Sequence, residues 1–446
     1  MISCGEPSGD LYAGALAAEI RRREPDADIF GFGGPRLAAA GGRLIGNFEG
    51  ISVTGLTEAL RVLPRSFAML RLLTAAARDE CPDVFVAIDF PDFNFRLMAA
   101  VHRLGIPVVY YVSPQLWAWR PGRMQTMKRY VERVLVIFPF EEELYRRAEI
   151  PVDFIGHPLV DLIRVRAPRA ALLREHGLEP DAPTVALLPG SRPNELRRIV
   201  PGIAASLPLI ASKVPGVQFI VAAAPNLPDA LFSPLMSVGS GVSRTVPIVH
   251  QRTDDVLAAS DVVITASGTA TVQAALHERP MVVVYKLSPL TYRLGKPFVR
   301  VDTYAMANLV AGKRIVAELI QDEFTSERVA DECVRLLTDE QLCQRTRDEL
   351  RRVRERLGGG VPVVVPRKPC SRLRGPTRAT VRHKVTISYP SLALRLKVVV
   401  ARAAARQIEL LLVLTHAAVG DATAVLLALV ARAALLTPHV ASRLVA

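Results

Sequence analysis

TVALLPGSRPNE, residues 184–195, decides the fold. A run of strand character passes through Pro189-Gly190 into Ser191-Arg192, and Pro193 then stands where the first turn of a helix accepts it. A strand that ends on a glycine turn and enters a helix is the repeating unit of a parallel α/β sheet. The turn's free N–H groups and the helix dipole favour an anion, and Arg192 can fork onto phosphate oxygens, which suits a nucleotide diphosphate. An ordinary turn with a surface arginine has the same text. Ser267-Gly268-Thr269, after VVITA, repeats the design, and two such turns strengthen the phosphate reading. A Walker A loop and a GxGxxG after a strand are both missing, which argues against ATPase and dinucleotide chemistry.

Outward from this stretch the chain alternates. On the N-terminal side, helical patterns at 8–23, 56–80, 93–104, 123–132 and 141–147 interleave with the strand-like runs IFGFGG, VFVAID, PVVYYV, VLVIF and VDFIG. Residues 157–168 are proline-containing and aperiodic, and beyond them VQFIVAAA, TVPIV, DVVITAS and MVVVYK follow TVALLPG in a second set. The expected fold class is α/β, two Rossmann-like domains facing a central cleft: residues 1–157, residues 158–357, and an atypical basic tail at 358–446. Only Met1, Ile2 and Ser3 precede the loop CGEPSGD, too few for an ordinary strand of about 5–6 residues.

The charge is unevenly placed. Of the net +13 over 446 residues, the last 88 carry 13 Lys+Arg against Glu409 and Asp421, leaving 43 basic and 41 acidic residues in 1–358. The body is nearly neutral, so nucleic acid is not an expected partner. Half the residues are hydrophobic, which excludes a disordered chain. Five cysteines without a CxxC pair suggest neither a zinc ribbon nor a disulfide framework, and fit a reducing compartment. No basic region followed by an apolar core opens the chain, so export is not expected. The tail reads as a basic appendage on a membrane surface or as an out-of-frame translation of a GC-rich gene; Asp421 and Arg432 interrupt its apolar stretch, which weakens a membrane span.

Asp89 ends the strand VFVAID at the cleft, where Phe90 and Phe93 would partly desolvate it, as a general base requires. Asp92 reads as a helix cap and Asn94 as part of the first turn. Glu6, in CGEPSGD, faces the same rim. Trp117, Trp119, Arg120 and Arg123 offer stacking and charge for a sugar and a phosphate, although packing is the commoner fate of a loop tryptophan. Asp26-Ala27-Asp28 reads as a solvated turn, and no metal site is expected. Leu56, Leu60, Leu63, Phe67 and Leu70, at helical spacing with Arg61 and Arg65 opposite, suit burial on the sheet or contact with lipid and anionic headgroups.

With GEPSGD at 5–10, FGFGG at 30–34, DFPDFN at 89–94, YYVSPQLWAWR at 110–120, GHPL at 156–159, LLPGSR at 187–192, SGTAT at 267–271, PMVVVYK at 280–286, Asn308-Leu309 and ELIQ at 318–321 in family order, the chain resembles the lipid-A-disaccharide synthases. These are UDP-sugar-dependent GT-B glycosyltransferases. The resemblance implies transfer of 2,3-diacylglucosamine from UDP to 2,3-diacylglucosamine 1-phosphate, with inversion, forming the β-1,6 disaccharide 1-phosphate of lipid A. It implies Asp89 as general base and Glu6 as a further essential acid. The UDP side falls on Ser191, Arg192, Ser267, Gly268, Thr269, Gln273, Asn308, Glu318 and Gln321, and no cofactor is required. It places the protein in the cytoplasm, peripheral on the inner membrane, and leaves a homodimer open.

Gln273 stands where the family has Glu, Ala317 where it has Pro, and Cys4 where it has Ala. The tail departs from the family's ending, whose last helices brace the first domain. The rival readings are another UDP-N-acetylglucosamine glycosyltransferase or 2-epimerase, and an inactive membrane-associated copy.

Overall fold

The computed structural model describes residues 1–48, 56–116, 121–224, 227–236, 246–287, 292 and 303–358. The tail from 359, Trp117, Trp119 and Arg120 lie outside them, as do the side chains of residues 56–62.

Seven strands form the first sheet: β1 (Ile2–Cys4), β2 (Phe30–Gly33), β3 (Arg43–Asn47), β4 (Phe85–Ile88), β5 (Val108–Tyr111), β6 (Arg133–Val136) and β7 (Val152–Phe154), in the order β3-β2-β1-β4-β5-β6-β7. The second holds β8 (Thr184–Leu188), β9 (Gln218–Ala223), β10 (Ile248–His250), β11 (Val262–Ala266), β12 (Met281–Tyr285) and β13 (Ala317–Ile320), in the order β10-β9-β8-β11-β12-β13. Every pairing is parallel. The chain is therefore α/β, and each sheet winds outward in both directions from its first strand, the doubly wound arrangement.

Three residues suffice for β1, which corrects the expectation that the start is too short for a strand. It lies mid-sheet, with Ile2 opposite both Gly31 and Val86, and all three residues are buried. Pairing on two sides replaces the length that an edge strand needs. Strands β3 and β13 escaped the sequence reading; β3 is partly exposed and β13 carries Glu318 in its middle.

Phe32, Phe85, Leu97 and Tyr110 fill one face of the first sheet, and Ile199, Ile203, Phe219 and Cys333 one face of the second. A third apolar cluster runs without a break from Tyr12 and Phe138 through Leu159 to Val283, Leu350 and Leu357. The helix Glu340–Leu357 is part of that bridge. Its last carbonyl accepts the amide of His157 at 2.8 Å, and the His157 ring packs between Tyr12 and Phe138 at 6.2 and 5.3 Å between centroids. Bracing expected to be lost with the atypical tail is thus supplied, at this point, by residues before it. The connector itself is tied to the second sheet: the Asp255 carboxylate accepts the Ala167 amide at 3.2 Å, and Arg169 forks onto Asp261.

Burial holds the His157 pKa at about 3, far below its ordinary 6.5. The unfolded chain therefore takes up a proton below pH 6.5 that the folded chain refuses, and stability falls with pH from 6.5 toward 3 by on the order of 1.4 kcal/mol per unit. In thermal melts between pH 6.5 and 4.5, His157→Gln is expected to lose less midpoint than the unsubstituted protein. Parallel pH profiles would show that His157 does not titrate in this way.

Candidate active site

In the first sheet β1 and β4 are neighbours, Cys4 opposite Ile88, so the turns after them and the first residues of their helices, 5–10 and 89–94, share one crevice. A Cβ on Gly5 would lie 2.1 Å from the Phe90 ring, so only glycine lets the two loops meet. Asp89 and Phe90 both adopt the left-handed region, with φ of 44° and 49°. Such backbone costs on the order of 1–3 kcal/mol per residue and persists where its surroundings enforce it. Here the Asp89 carbonyl accepts Asn94 Nδ2 and the Tyr110 hydroxyl, each at 2.8 Å, while Asn94 Oδ1 accepts the Ser3 hydroxyl at 2.7 Å. Burial pushes the Tyr110 hydroxyl well above its ordinary pKa, which keeps it a donor. Stacked Phe32, Phe90 and Phe93 close the apolar side, and Asp89 stays half-buried at the mouth.

Three sequence assignments change. Asp92 does not cap its helix, whose N-cap residue is Phe90; its carboxylate pairs with Arg123, and the guanidinium lies 5.0 Å over the Phe95 ring. Arg123 is therefore committed to the protein and not offered to a phosphate. Asn94, read as lining a turn, is fully buried and stitches β1 to the strained residue. Asp10, which ends GEPSGD, is likewise buried and accepts the amides of Gly34, Arg36 and Leu37 at 2.8, 2.9 and 3.1 Å, clamping the turn after β2.

The second sheet repeats this geometry. β8 and β11 are neighbours, Leu188 opposite Thr265, so the Ser191-Arg192 and Ser267-Gly268-Thr269 turns stand side by side. Gly190 holds φ +133°, and a Cβ there would lie 2.9 Å from Glu195 Oε2. Glu195 folds back beneath the turn: it accepts the Ser191 amide at 3.2 Å and Arg192 Nη1 at 3.0 Å. The other half of the Arg192 fork crosses to the first domain and meets Glu6 Oε2 at 3.2 Å. Burial opposes the charge on Arg192, but Glu6 and Glu195 outweigh it and hold its pKa above the ordinary value. Glu6 thus sits at the N-cap of the helix Pro7–Arg23 without capping it and reaches the opposite wall.

Ser267 donates to the Tyr304 carbonyl at 3.0 Å, Gly268 holds φ +145° at the N-cap of the helix Thr269–Leu276, Thr269 is exposed, and Gln273 is half-buried on that helix. Glu318 and Asn308 lie one layer deeper. The Glu318 carboxylate accepts the Tyr304 and Ala305 amides at 2.9 and 3.0 Å and Asn308 Nδ2 at 2.7 Å. Asn308 completes its bonding with Val316 and Ile315 backbone groups. Gln321, with φ 58°, brackets Leu287 from both sides, accepting its amide and donating to its carbonyl. These three shape the rim by holding Tyr304 and Leu287. The sequence missed Glu195; its signal was its position at the third residue of a proline-opened helix, where a carboxylate meets free amides.

The Glu6–Arg192 contact brings a turn of each sheet together, with Asp89 just after the strand beside Glu6 and the 267–269 turn beside Arg192. Among the described residues, no three His, Cys, Asp or Glu side chains come together as metal ligands. A family model described as lipid-A-disaccharide synthetase matches residues 1–360. The lipid-A-disaccharide synthase of Geobacter sulfurreducens is 42% identical over 363 residues, covering 81% of this chain and 93% of that one. The enzyme of the same name from Myxococcus xanthus is 43% identical, covering 75% and 87%. Among solved structures, the UDP-GlcNAc 2-epimerase of Neisseria meningitidis bound to UDP-GlcNAc superposes with a TM-score of 0.53 at 12% identity, covering 80% of this chain and 96% of that one. CalG4, the calicheamicin glycosyltransferase, does so at 0.51 and 16%, covering 80% and 92%. At such identities the structures speak for the fold alone.

Asn94→Ala strips the Ser3 hydroxyl and the Asp89 carbonyl of a buried partner. The expected loss is about 2–3 kcal/mol, read as a lower midpoint in thermal or denaturant unfolding; a midpoint unchanged within error would mean that water or a neighbour replaces the amide.

Proposed function

Because the chain belongs to the lipid-A-disaccharide synthetase family, we propose that its cleft joins UDP-2,3-diacylglucosamine to 2,3-diacylglucosamine 1-phosphate, giving the β-1,6 disaccharide 1-phosphate and UDP. The observation that carries this reading is the match over both sheets, residues 1–360. A 2-epimerase reading has only likeness of fold behind it.

Asp89 takes the proton of the acceptor 6-hydroxyl as that oxygen attacks the anomeric carbon on the face opposite the nucleotide. The bond from that carbon to the diphosphate oxygen breaks, its electron pair leaves with UDP, and the anomeric configuration inverts. The strained backbone at Asp89 fixes the carboxylate before substrate arrives, which is where most of the advantage of a positioned base lies. Arg192 and the amides of the 190–192 and 267–269 turns receive the diphosphate and the charge that grows on it. The diphosphate displaces Glu6 and Glu195 from Arg192, and Glu6 turns to the acceptor side. Thr269 and Ser191 line the phosphate site, and Gln273 bonds the ribose hydroxyls with its amide. Asn308, Glu318 and Gln321 act through the backbone they hold. The step transfers no electrons and calls for no cofactor.

Both substrates carry acyl chains, so the enzyme works at a lipid surface, on the cytoplasmic face of the inner membrane. No helix among the described residues is long and apolar enough to cross a bilayer.

Asp89→Asn is expected to bind UDP almost normally in calorimetry and to lose at least ~10² in turnover of the acylated donor and acceptor. Undiminished turnover removes Asp89 from the reaction. Arg192→Ala is expected to weaken UDP binding by roughly 10- to 100-fold, since a charge-assisted fork is lost. UDP release from UDP-N-acetylglucosamine alone, with none from the acylated pair, defeats the transferase reading in favour of the epimerase.

A further inference from the structure

Outside the cleft, the helix Leu56–Glu80 and the helix Pro91–His102 diverge over a groove of about 770 Å³. That volume lies inside the range of ligand pockets. Between its arginines the lining is alanine, threonine, Leu70 and the aromatic side chains of Phe67, Phe95 and Tyr130. Four arginines line it, each pair seven residues apart: Arg71 and Arg78 on the first helix, Arg96 on the second and Arg103 at its C-cap. Seven residues are two turns, so each pair shares one helix face.

None of these four guanidiniums makes an ion pair among the described residues. Arg103 spends one N–H on the Ala99 carbonyl at 3.0 Å. Arg96 lies 5.5 Å over the Phe67 ring, and the nearby carboxylate of Asp92 is already engaged by Arg123. Burial draws the Arg96 pKa below its ordinary value, with Asp92 offsetting only part of that loss. Arg96 is half-buried against the Phe67 ring while Arg71, Arg78 and Arg103 are exposed, so Arg96 is the guanidinium of the four with most to gain from an anion.

The groove shares one helix, Pro91–His102, with the candidate active site. Arg96 sits one turn after Asp92 on the helix that starts immediately after Asp89 and Phe90. The Phe67–Arg96 contact sets the register, so Arg71 and Arg96 mark the end near the cleft, and Arg78 and Arg103 the far end. A ligand matching this arrangement has a phosphate beside a hydroxyl-bearing ring and an apolar chain leading away.

We propose that the groove seats the acceptor, with its phosphate on Arg96 and Arg71 and an acyl chain along Phe67 and Phe95. This rests on the transferase reading above. The binding test uses the full chain and dihexanoyl phosphatidic acid as monomers, a phosphate monoester with two short chains, titrated by calorimetry. Dihexanoyl phosphatidylcholine and inorganic phosphate are the controls. The expected result is binding of the phosphatidic acid that Arg96→Gln weakens at least ~10-fold and Arg103→Gln less than ~3-fold, with both controls much weaker. An equal loss in the two variants overturns the proposal in favour of a diffuse positive field. Inorganic phosphate binding as tightly overturns it in favour of a free-anion site. Binding only to phosphatidic acid vesicles overturns it in favour of a membrane-facing surface.

In turnover, Arg96→Gln is expected to raise the acceptor KM about 10-fold with donor KM and kcat within about 2-fold. If disaccharide forms and that KM is unmoved, the groove assignment falls alone. If no disaccharide forms but phosphatidic acid binding still depends on Arg96, the transferase reading falls and the groove stands.

Discussion

Where two neighbouring parallel strands send their helices to opposite faces of a sheet, the carboxyl ends of those strands are left with a gap that no connection crosses. That constraint acts twice here, between β1 and β4 and between β8 and β11. Each gap is floored by backbone amides at the start of helices, and each needs something negative. The Glu6–Arg192 pair joins the two gaps into one site. Everything attributed to the cleft follows from this doubling: one gap supplies a strained carboxylate, the other an anion cradle.

Acids of the body also take up amides at the starts of helices. Asp10 accepts three of them, Glu318 two and Glu195 one. Asp10 and Glu318 are buried, so their bonds are fixed parts of the architecture. Glu195 serves a turn whose own charge partner, Arg192, is still partly exposed. Under the proposed function, a carboxylate placed there yields those donors to an anion of higher charge. The same residue type is thus permanent filler at two turns and a placeholder at a third, and burial separates the two uses.

The strand-turn-helix periods were legible, as were the two parallel sheets and the loops at their switch points. Hydrophobic period and glycine position are local properties of the chain. What stayed hidden depends on neighbours distant in sequence. β1 is a strand because β2 and β4 flank it, which no three-residue reading can supply. Asp92 reads as a cap until Arg123, 31 residues on, takes its carboxylate. The resemblance puts Asn308, Glu318 and Gln321 on the nucleotide side, and the bonds that tie them to the Tyr304, Ile315 and Leu287 backbone are a further property that no local reading shows. The groove escaped for a related reason: a stripe counted along one helix does not reveal the two arginines that a second helix sets opposite it.

The cross-domain pair also bears on how the cleft opens. Glu6 is 31% and Arg192 43% exposed, so water screens the attraction and the pair is worth only about 0–1 kcal/mol. A latch of that strength does not hold two domains together; the shared apolar cluster and the His157–Leu357 contact do that. What the pair does is orient. It keeps Arg192 pointed toward the first domain at little energetic cost, so on the proposed function a diphosphate, with more charge and more acceptor oxygens than one carboxylate, would replace Glu6 without having to pull the walls apart. A deeply buried pair in the same place would bind the domains more tightly and make every nucleotide overcome the desolvation of two charges before it could bind. Partial exposure of Glu6 and Arg192 therefore fits the role the proposed function gives the pair, which is to orient Arg192 and give way to substrate.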